Sequence, residues 1–416
     1  MKLPAWVMKP LRHPRVIRFV DRVFMRLQPA PGGEAHVLVA PPGRGNIGDQ
    51  ALVEAFVETV EGHVIVAVRS TRDIAVAPRF AGRMQLIELP ALVYGSAMGR
   101  ARDLRRLAAA ASDATTFSIV GADIMDGAYV PRASVNRALL ARRFAELGWN
   151  TRVLGFSWNA SPHPVALDQL RRAARAGALL CVRDPLSAER ARRDGLEVTE
   201  TADIVFVAQG GDSLVLARVW PTLVDSDRLA LVNASGLVEA GIEPYVATIQ
   251  TLRSSGMKVL IVPHVSRPGA DDLPFCDELA ARFSNDEGVR ALRALLTPPE
   301  IRGLGARASI AVTGRMHLAV MSTMSGTPAL TLATQGKVEG LMNLLGTPQL
   351  CLEPGPGLEQ RLPEAVSMLI ENEPELRGAI LAALPTVTSL ASKNFDGMLP
   401  AGARVTSSDG AHGAAA

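Results

Sequence analysis

Cysteine, aromatic residues and long apolar runs are all scarce in this chain of 416 residues. The cysteines lie far apart in the sequence, which excludes a disulfide framework and a cysteine-rich metal site and favours a reducing cytoplasm; they are Cys181, Cys276 and Cys351. Aromatic residues make up only 4% of the chain, so its cores must be built from Ala, Val, Leu, Ile and Met. No apolar run reaches the roughly 18 residues that span a bilayer. We therefore expect a cytoplasmic protein without a metal site.

A large excess of one charge is also missing. The 44 Lys and Arg residues nearly balance the 41 Asp and Glu residues, and the net charge is +3. Nucleic-acid-binding domains instead concentrate basic residues on one face, so we expect no nucleic-acid partner. Hydrophobic residues account for 48% of the sequence. A chain of this length and composition can form two ordinary domains with their own cores.

Residues 1–30 form a basic amphipathic segment. Apolar residues recur there at helical spacing among seven basic residues, which are Lys2, Lys9, Arg12, Arg15, Arg18, Arg22 and Arg26. Such a segment can lie on an anionic membrane surface, with peripheral contact through residues 1–29. Alternatively, it docks on the protein's own surface and leaves its charges in solvent. At the other end, the small and polar residues 401–416 are expected to be disordered.

Between these ends, short apolar segments alternate with amphipathic helical segments. The predicted strands cover residues 36–40, 64–68, 86–89, 117–120, 152–156, 178–182, 229–233, 258–262 and 329–332. This alternation is typical of parallel sheets with helices on both faces. A break near residue 215 divides the pattern in two. We therefore predict an α/β protein with two Rossmann-like parallel-sheet domains facing a cleft, at 34–215 and 225–372, followed by a helical segment at 373–400.

Polar residues follow several of these strands, and ligands bind at that edge of open parallel sheets. The first such turn, Gly43-Arg-Gly-Asn-Ile-Gly-Asp, contains three glycines, including Gly48, that allow a ligand to approach the backbone closely. Its spacing is not that of a dinucleotide fingerprint or a P-loop. Asn46 can hydrogen-bond a ligand hydroxyl. Asp49 is a general base for a sugar hydroxyl, the N-cap of the next helix, or both.

The most informative turn lies between the apolar run 308–313 and a helical segment that begins at Met316. Arg315 and His317 stand at the start of that helix, where the backbone N–H groups already favour an anion. Arg315 supplies a cation for a phosphate or carboxylate, and His317 can transfer a proton beside it. Lys337, an uncommon residue in this arginine-rich chain, follows the next predicted strand.

Three further strand ends carry candidate residues. Arg183 precedes Asp184 and is either a second phosphate clamp or an ion-pair partner of Asp184 or Asp203. His264 follows the strand at 258–262 and either contacts a substrate or stabilises its turn. The segment after Gly121 contains Asp123, Asp126 and Tyr129, any of which could meet an acceptor sugar. Of these three, Asp126 is predicted to bind substrate.

In their order along the chain, these motifs resemble those of the polysaccharide pyruvyl transferase family. The family pattern has an early G-N-x-G-D-x-A, a central R-D-x-x-S, a following A-D and a late G-x-R-x-H ahead of a lysine. This chain contains Gly45-Asn-Ile-Gly-Asp-Gln-Ala, Arg183-Asp-Pro-Leu-Ser and Ala202-Asp. Its late motif departs from the pattern because no residue separates Gly314 from Arg315. The resemblance extends from about residue 36 to about residue 350.

The resemblance implies a GT-B arrangement and the transfer of pyruvate from phosphoenolpyruvate onto two hydroxyls of a sugar. The product would be a pyruvate ketal in a bacterial exopolysaccharide or cell-surface glycan, and no cofactor is expected. Arg183, Arg315 and Lys337 would bind the donor's phosphate and carboxylate. His317 would protonate its methylene carbon, and Asp49 would deprotonate the sugar hydroxyl. The acceptor would be a glycan or a lipid-linked sugar, which suggests that the protein acts at the inner face of the membrane.

Two alternatives stay open at this point. One is a GT-B glycosyltransferase or epimerase that uses a nucleotide sugar, with its diphosphate at the Arg315 turn and Glu339 on the ribose. The early Asn46 turn and the central Arg183 turn would then need another explanation. The other is an inactive relative of the same fold that acts as a binding partner in a polysaccharide-assembly complex.

Overall fold

The computed structural model of the protein describes residues 13–398, apart from residues 237, 239, 240, 334 and 335. The first twelve residues of the predicted basic segment and the predicted disordered tail at 401–416 lie outside the described residues. Within them, the chain forms two α/β units, each built on one parallel sheet. The predicted fold class is confirmed.

The N-terminal domain is built on a seven-stranded sheet. Its strands are β1 (Ala35–Val39), β2 (Val64–Val68), β3 (Met84–Glu88), β4 (Ala114–Ala122), β5 (Asn150–Phe156), β6 (Leu179–Val182) and β7 (Thr199–Glu200). Their spatial order is β3-β2-β1-β4-β5-β6-β7 and every pairing is parallel. The order reverses between β1 and β4, which is the point where doubly wound sheets open a crevice for ligands.

Helices cover both faces of this sheet, and many of them begin with proline, whose fixed φ suits the first helical turn. They are α1 (Pro14–Phe24), α2 (Ile47–Thr59), α3 (Pro90–Tyr94), α4 (Ala97–Ala110), α5 (Pro131–Glu146), α6 (Pro164–Arg175) and α7 (Pro185–Arg193). The short helix α8 (Val215–Val219) follows and packs against the helix at Pro298–Arg307 of the C-terminal domain. Alternate side chains of β1 enter opposite cores: Leu38 joins one apolar cluster, and Val37 and Val39 join the other. The first cluster continues into the C-terminal domain.

The C-terminal domain repeats this architecture with six strands. They are β8 (Leu229–Asn233), β9 (Lys258–Ile261), β10 (Val289–Ala291), β11 (Ile310–Thr313), β12 (Ala329–Leu332) and β13 (Cys351–Leu352). Their order is β10-β9-β8-β11-β12-β13, again with parallel pairing. The helices are α9 (Glu243–Ser254), α10 (Leu273–Arg282), α11 (Pro298–Arg307), α12 (Met316–Thr323), α13 (Lys337–Leu344), α14 (Leu358–Glu371) and α15 (Glu373–Ser392).

The described part of the N-terminal basic segment is docked on the protein. Helix α1 buries Ile17 and Val20 against the N-terminal domain, and its Asp21 forms an ion pair with the buried Arg100 at 2.6 Å. The apolar face of α1 is therefore covered, and its basic residues and the exposed Phe19 are what it presents to solvent. No helix among the described residues is long and apolar enough to cross a membrane.

The C-terminal segment returns to the N-terminal domain. Helix α15 runs without interruption through Pro385. Beyond it, the side-chain oxygen of Asn394 accepts a hydrogen bond from the Gly155 backbone N–H at 2.9 Å, and its backbone carbonyl accepts one from Arg152 at 2.7 Å. Both donors lie on β5, so this segment ties the two domains together on the side of the N-terminal sheet.

A second connection joins the loops beyond β1 and β9. The Ser266 N–H donates to the Gly45 carbonyl at 2.7 Å, and the Ile47 N–H donates to the His264 carbonyl at 3.2 Å. This short antiparallel bridge between the domains brings the carboxyl ends of the two sheets together. Every predicted motif sits at one of these carboxyl ends.

Candidate active site

A cavity of about 570 Å³ lies between the carboxyl ends of the two sheets. It is large enough to bury a ligand of drug size. Seven of the nine predicted site residues line the cavity: Asn46, Asp49, Arg183, His264, Arg315, His317 and Lys337. Gly48 lies just behind the wall, and Asp126 does not line the cavity.

His317 occupies the second position of α12 and faces a buried carboxylate of the other domain. Its Nε2 lies 3.3 Å from Oδ2 of Asp203. The same carboxylate accepts a hydrogen bond from Nη1 of Arg183 at 2.9 Å, and Nε of Arg183 donates to Ser157 Oγ at 2.8 Å. Burial alone would raise the pKa of Asp203, but His317 and Arg183 outweigh it and hold that pKa well below its usual range. Asp203 is therefore ionised and can pair with a protonated His317.

Gly48 allows the imidazole of His317 to approach helix α2. A Cβ atom placed on Gly48 would lie 2.6 Å from Cγ of His317 and 2.8 Å from its Cβ. Real Cβ atoms essentially never come so close to another heavy atom. Glycine is therefore needed here to leave room for the histidine. The sequence predicted a close approach of ligand to this glycine; the structure shows a close approach of His317.

Asp49 is not the N-cap of helix α2, so that prediction is wrong. The helix begins earlier, and the side chain of Asn46 caps it by accepting a hydrogen bond from the Gly48 N–H at 3.0 Å. This leaves the carboxylate of Asp49 on the cavity wall, 3.9 Å from Nη1 of Arg267. Burial raises the pKa of Asp49 to about 6, and Arg267 and His317 limit the rise. A carboxylate with this pKa can accept a proton near neutral pH.

Arg315 is held by a buried carboxylate. Its Nε and Nη2 donate to Asp272 at 3.1 and 2.5 Å, and Nη2 also donates to the Ala270 carbonyl. Asp272 in turn accepts hydrogen bonds from Asn233 and from the His264 backbone N–H, each at 3.0 Å. The remaining nitrogen of Arg315, Nη1, makes no hydrogen bond within the described part of the chain. Asp272 thus fixes the guanidinium on the cavity wall with one nitrogen unused.

His264 lines the cavity without any hydrogen bond to its ring. Its side chain is fully buried, and neither Nδ1 nor Nε2 has a partner among the described residues. Burial lowers the pKa of His264 well below its usual range, and His317 and Arg315 lower it further. The ring is therefore neutral and can donate one hydrogen bond and accept another. An unpartnered buried imidazole in a cavity wall is suited to a bound ligand or water.

Lys337 pairs with Asp123 across the two domains. Its Nζ lies 2.6 Å from Oδ2 of Asp123, which also accepts a hydrogen bond from the Tyr129 hydroxyl at 3.1 Å. Burial alone would raise the pKa of Asp123, but Lys337 and Arg183 hold it well below its usual range. Ala122, immediately before Asp123, has φ at 45°. A non-glycine residue rarely adopts this left-handed conformation, which directs the chain at the end of β4 into the cavity.

Asp126 shapes the loop after β4 from outside the cavity. Its carboxylate accepts hydrogen bonds from the Ala128 N–H at 2.9 Å and from the Asn159 side chain at 2.6 Å. Of the three acceptor candidates in this segment, Asp123 and Tyr129 line the cavity instead. Asp126 thus holds this loop in shape, three residues from each of the two that line the cavity.

Cations outnumber acids on the cavity wall. Arg44, Arg69, Arg137, Arg183, Arg267, Arg315 and Lys337 line it, against the carboxylates of Asp49 and Asp123. Such a wall favours a small ligand with several negative charges. Four of these cations were not among the predicted site residues. One of them, Arg137, could have been found from the sequence. It lies four residues from both Ala133 and Ala141 on the buried face of α5, and a charged residue on a buried helix face indicates a specific role.

Comparisons with known proteins agree with this geometry. The sequence profile of one family, described as polysaccharide pyruvyl transferase, matches residues 46–336, well over half of the chain. The matched range contains Asn46, Asp49, Arg183, His264, Arg315 and His317, and Lys337 lies just beyond its end. No curated protein matches the chain significantly.

Solved structures show where else this fold occurs. Sucrose-phosphate synthase from Thermosynechococcus elongatus is similar, with a TM-score of 0.55 and 14% identity over 88% of this chain and 96% of that one. UDP-GlcNAc 2-epimerase from Neisseria meningitidis, solved with UDP-GlcNAc bound, has a TM-score of 0.57 and 12% identity over 88% of this chain and 98% of that one. At such low identity these similarities show the fold alone, which is the two-domain GT-B arrangement.

Proposed function

Because the chain belongs to the polysaccharide pyruvyl transferase family, we propose that it transfers pyruvate from phosphoenolpyruvate onto two hydroxyls of a glycan sugar. The product is a pyruvate ketal in an exopolysaccharide or cell-surface glycan. The observation that carries this proposal is the pair formed by His317 and the ionised Asp203 within a cation-rich cavity. It supplies a proton donor beside a site for a multiply charged small acid.

The donor substrate matches the charge of the cavity. Phosphoenolpyruvate carries a phosphate and a carboxylate on the same carbon, so both groups need cations within a short distance. Arg183, Arg315 and Lys337 each keep a carboxylate partner, which fixes their position. The positive excess of the wall comes from its other cations, among them Arg44, Arg69 and Arg137. The unused Nη1 of Arg315 and the free ring of His264 are the groups that we assign to the donor. No cofactor takes part in this scheme.

The chemistry begins with proton transfer from His317 to the methylene carbon of phosphoenolpyruvate. The carbon that bears the phosphate becomes an oxocarbenium-like centre, and a sugar hydroxyl adds to it while losing its proton to Asp49. Phosphate then leaves with its oxygen and regenerates a cationic centre. The second hydroxyl adds there, returns a proton to His317 and closes the ketal, while the proton taken up by Asp49 leaves with the phosphate. One phosphoenolpyruvate and two hydroxyls thus give one ketal and one phosphate. The carboxylate of Asp203, 3.3 Å from Nε2 of His317, positions the imidazole.

A binding experiment separates this proposal from the nucleotide-sugar alternative. Calorimetric titration of the purified protein with phosphoenolpyruvate should show binding, whereas UDP-GlcNAc and UDP-glucose should not bind at comparable concentration. His317→Gln should keep the donor affinity within a few-fold and lower turnover by about 10²–10⁴-fold. His63→Gln, which replaces a histidine outside the cavity, is the matched control. Binding of a nucleotide sugar without binding of phosphoenolpyruvate would refute the proposal in favour of a glycosyltransferase or epimerase.

The structure adds no specific support to the alternatives. Glu339, the residue expected to bind a ribose in a nucleotide-sugar enzyme, is exposed in the first turn of α13 and does not line the cavity. An inactive binding partner would have no need of a histidine placed on an ionised carboxylate. Binding of phosphoenolpyruvate in that titration, or turnover of it, would exclude the inactive binding partner.

A further inference from the structure

A second group of cations lines the cavity within the N-terminal domain. Arg69 follows β2, Tyr94 ends α3, and Arg137 lies in α5. The two guanidinium groups stand over the ring of Tyr94, with carbon-to-centroid distances of 5.6 Å for Arg69 and 5.4 Å for Arg137. We call these three residues the Tyr94 subsite. Neither the proposed reaction nor the family motifs use it.

Arg137 is the unusual member of the Tyr94 subsite. Its side chain is 1% exposed, and its Nη2 donates to the Tyr94 hydroxyl at 2.7 Å. Within residues 13–398 as described, its Nε is buried without a hydrogen-bond partner and its Nη1 makes no hydrogen bond. No carboxylate of the described residues forms an ion pair with Arg137. Arg69 forms a distant ion pair with Asp73, at 3.8 Å.

A buried guanidinium without a counter-ion is costly, because desolvation is not offset by a paired charge. Buried charges in folded proteins are therefore paired or bind a ligand. The N-terminus of α5, a helix of 16 residues, adds positive potential here, since Val130 and Ser134 of its first turn line the same cavity. An oxyanion would supply the missing negative charge, because the planar fork of arginine binds phosphate or carboxylate with two hydrogen bonds.

We propose that the Tyr94 subsite binds an oxyanion, a phosphate or a carboxylate, that is carried by the acceptor and not by the donor. The assignment to the acceptor rests on the proposed function. The methylene carbon of the donor must lie at His317, and both anionic groups of the donor are attached to the carbon next to it. Arg137 donates a hydrogen bond to Tyr94, and Arg69 pairs with Asp73. In the part of the chain that the structure describes, neither arginine bonds to His317, Asp203 or Lys337.

The size of the cavity agrees with two ligands. A volume of about 570 Å³ exceeds the need of a three-carbon acid and leaves room for part of a sugar acceptor. The Tyr94 subsite would then hold the acceptor by a charged substituent while its hydroxyls reach the donor near His317 and Asp49. The enzyme would therefore select anionic acceptors over neutral sugars.

Titration of the phosphoenolpyruvate-saturated protein tests this proposal. Inorganic phosphate is titrated in one arm and acetate in the other, so that the arms distinguish the two kinds of oxyanion. We expect at least one to bind, with an affinity roughly tenfold or more weaker in Arg137→Gln, because a charge-assisted hydrogen bond is lost. Arg69→Ala removes a half-exposed side chain and should weaken oxyanion binding several-fold. It replaces Arg137→Gln as the test variant if Arg137→Gln does not fold. Arg72→Ala, an exposed arginine on the same loop, should change nothing.

The affinity for phosphoenolpyruvate distinguishes the possible failures. If it stays within about twofold in Arg137→Gln and Arg69→Ala while oxyanion binding weakens, the proposal holds. If it falls as strongly as the oxyanion affinity, the subsite belongs to the donor and the proposal is wrong. Failure of both oxyanions to bind the saturated wild-type protein also refutes it. If the wild-type protein does not bind phosphoenolpyruvate at all, the proposed function fails, and an Arg137-dependent oxyanion affinity measured without the donor still establishes the subsite.

Discussion

Replacing Gly48 with alanine should disable His317 without unfolding the protein. Gly48 has an ordinary negative φ and lies in the first turn of α2, so its backbone conformation suits alanine. Helix propensity alone would even favour the change, by roughly 0.5–1 kcal/mol. The cost comes from the added methyl group, which would lie 2.6 Å from Cγ of His317. Ordinary contacts of a Cβ atom begin at 3.4 Å.

The imidazole must therefore move by roughly 1 Å, and a displacement of this size at a reacting group can cost about 10²-fold in rate. We expect the turnover number of Gly48→Ala to fall by about that factor, whereas the affinity for phosphoenolpyruvate should change little, since the cations of the wall stay in place. Steady-state kinetics and calorimetry give the two quantities separately.

Gly378→Ala is the matched control, because Gly378 is an exposed helical glycine with nothing within 4 Å of an added Cβ. It should leave turnover unchanged and hold or slightly raise the free energy of unfolding. Full activity of Gly48→Ala would refute the reasoning, since it would mean that His317 does not act from its position against α2. A protein that loses donor affinity as much as turnover would also contradict it.

A change of pH and three substitutions probe the carboxylates and the packing between domains. Activity should fall as the pH drops through about 6, where Asp49 becomes protonated, and a flat profile of kcat/KM from pH 5 to 8 would exclude it as the base. The folded-state pKa of Asp49 lies above the unfolded value of 3.8, so ionisation of Asp49 destabilises the fold as pH rises from about 4 through 6. The free energy of unfolding of Asp49→Asn should therefore exceed that of wild type by up to about 3 kcal/mol at pH 7 and by little at pH 4. Denaturant titrations at the two pH values measure this difference. Asp203→Asn should lower the free energy of unfolding by about 3–5 kcal/mol, because Arg183 stays buried without its carboxylate, and turnover should fall with it. Gly340→Ala should cost about 1–3 kcal/mol, since its Cβ would lie 2.8 Å from Cβ of Asp184, the N-cap of α7. Unchanged thermal unfolding would show that α7 and α13 can separate.

Much of the fold follows from local patterns in the sequence. The apolar segments 64–68, 229–233 and 329–332 coincide with β2, β8 and β12, because buried parallel strands need continuous apolar residues. The strands β7, β10 and β13 contain only two or three residues. Segments this short carry no periodicity to detect. Helix α15 continues through Pro385, although a proline is normally a signal to end a helix.

The candidate site was predictable to the extent that parallel strands share an edge. Asn46, Arg183, His264 and His317 each follow a strand, so their convergence could be expected from the alternating pattern. Their partners could not be. Lys337 and Asp123 are 214 residues apart in the sequence, and local spacing carries no information about such pairs. For the same reason the contact of Gly48 with His317 appears only in the folded chain.

The central claim is tested most directly by following both products in one sample. The protein is incubated with isotope-labelled phosphoenolpyruvate and a panel of anionic and neutral hexosides whose hydroxyl pairs can close a small ring. We predict that phosphate is released in equal amount to labelled ketal carbon on a hexoside, and that His317→Gln abolishes both signals while His63→Gln retains them. Release of phosphate without label on the sugar, or label transfer that does not depend on His317, would contradict the account.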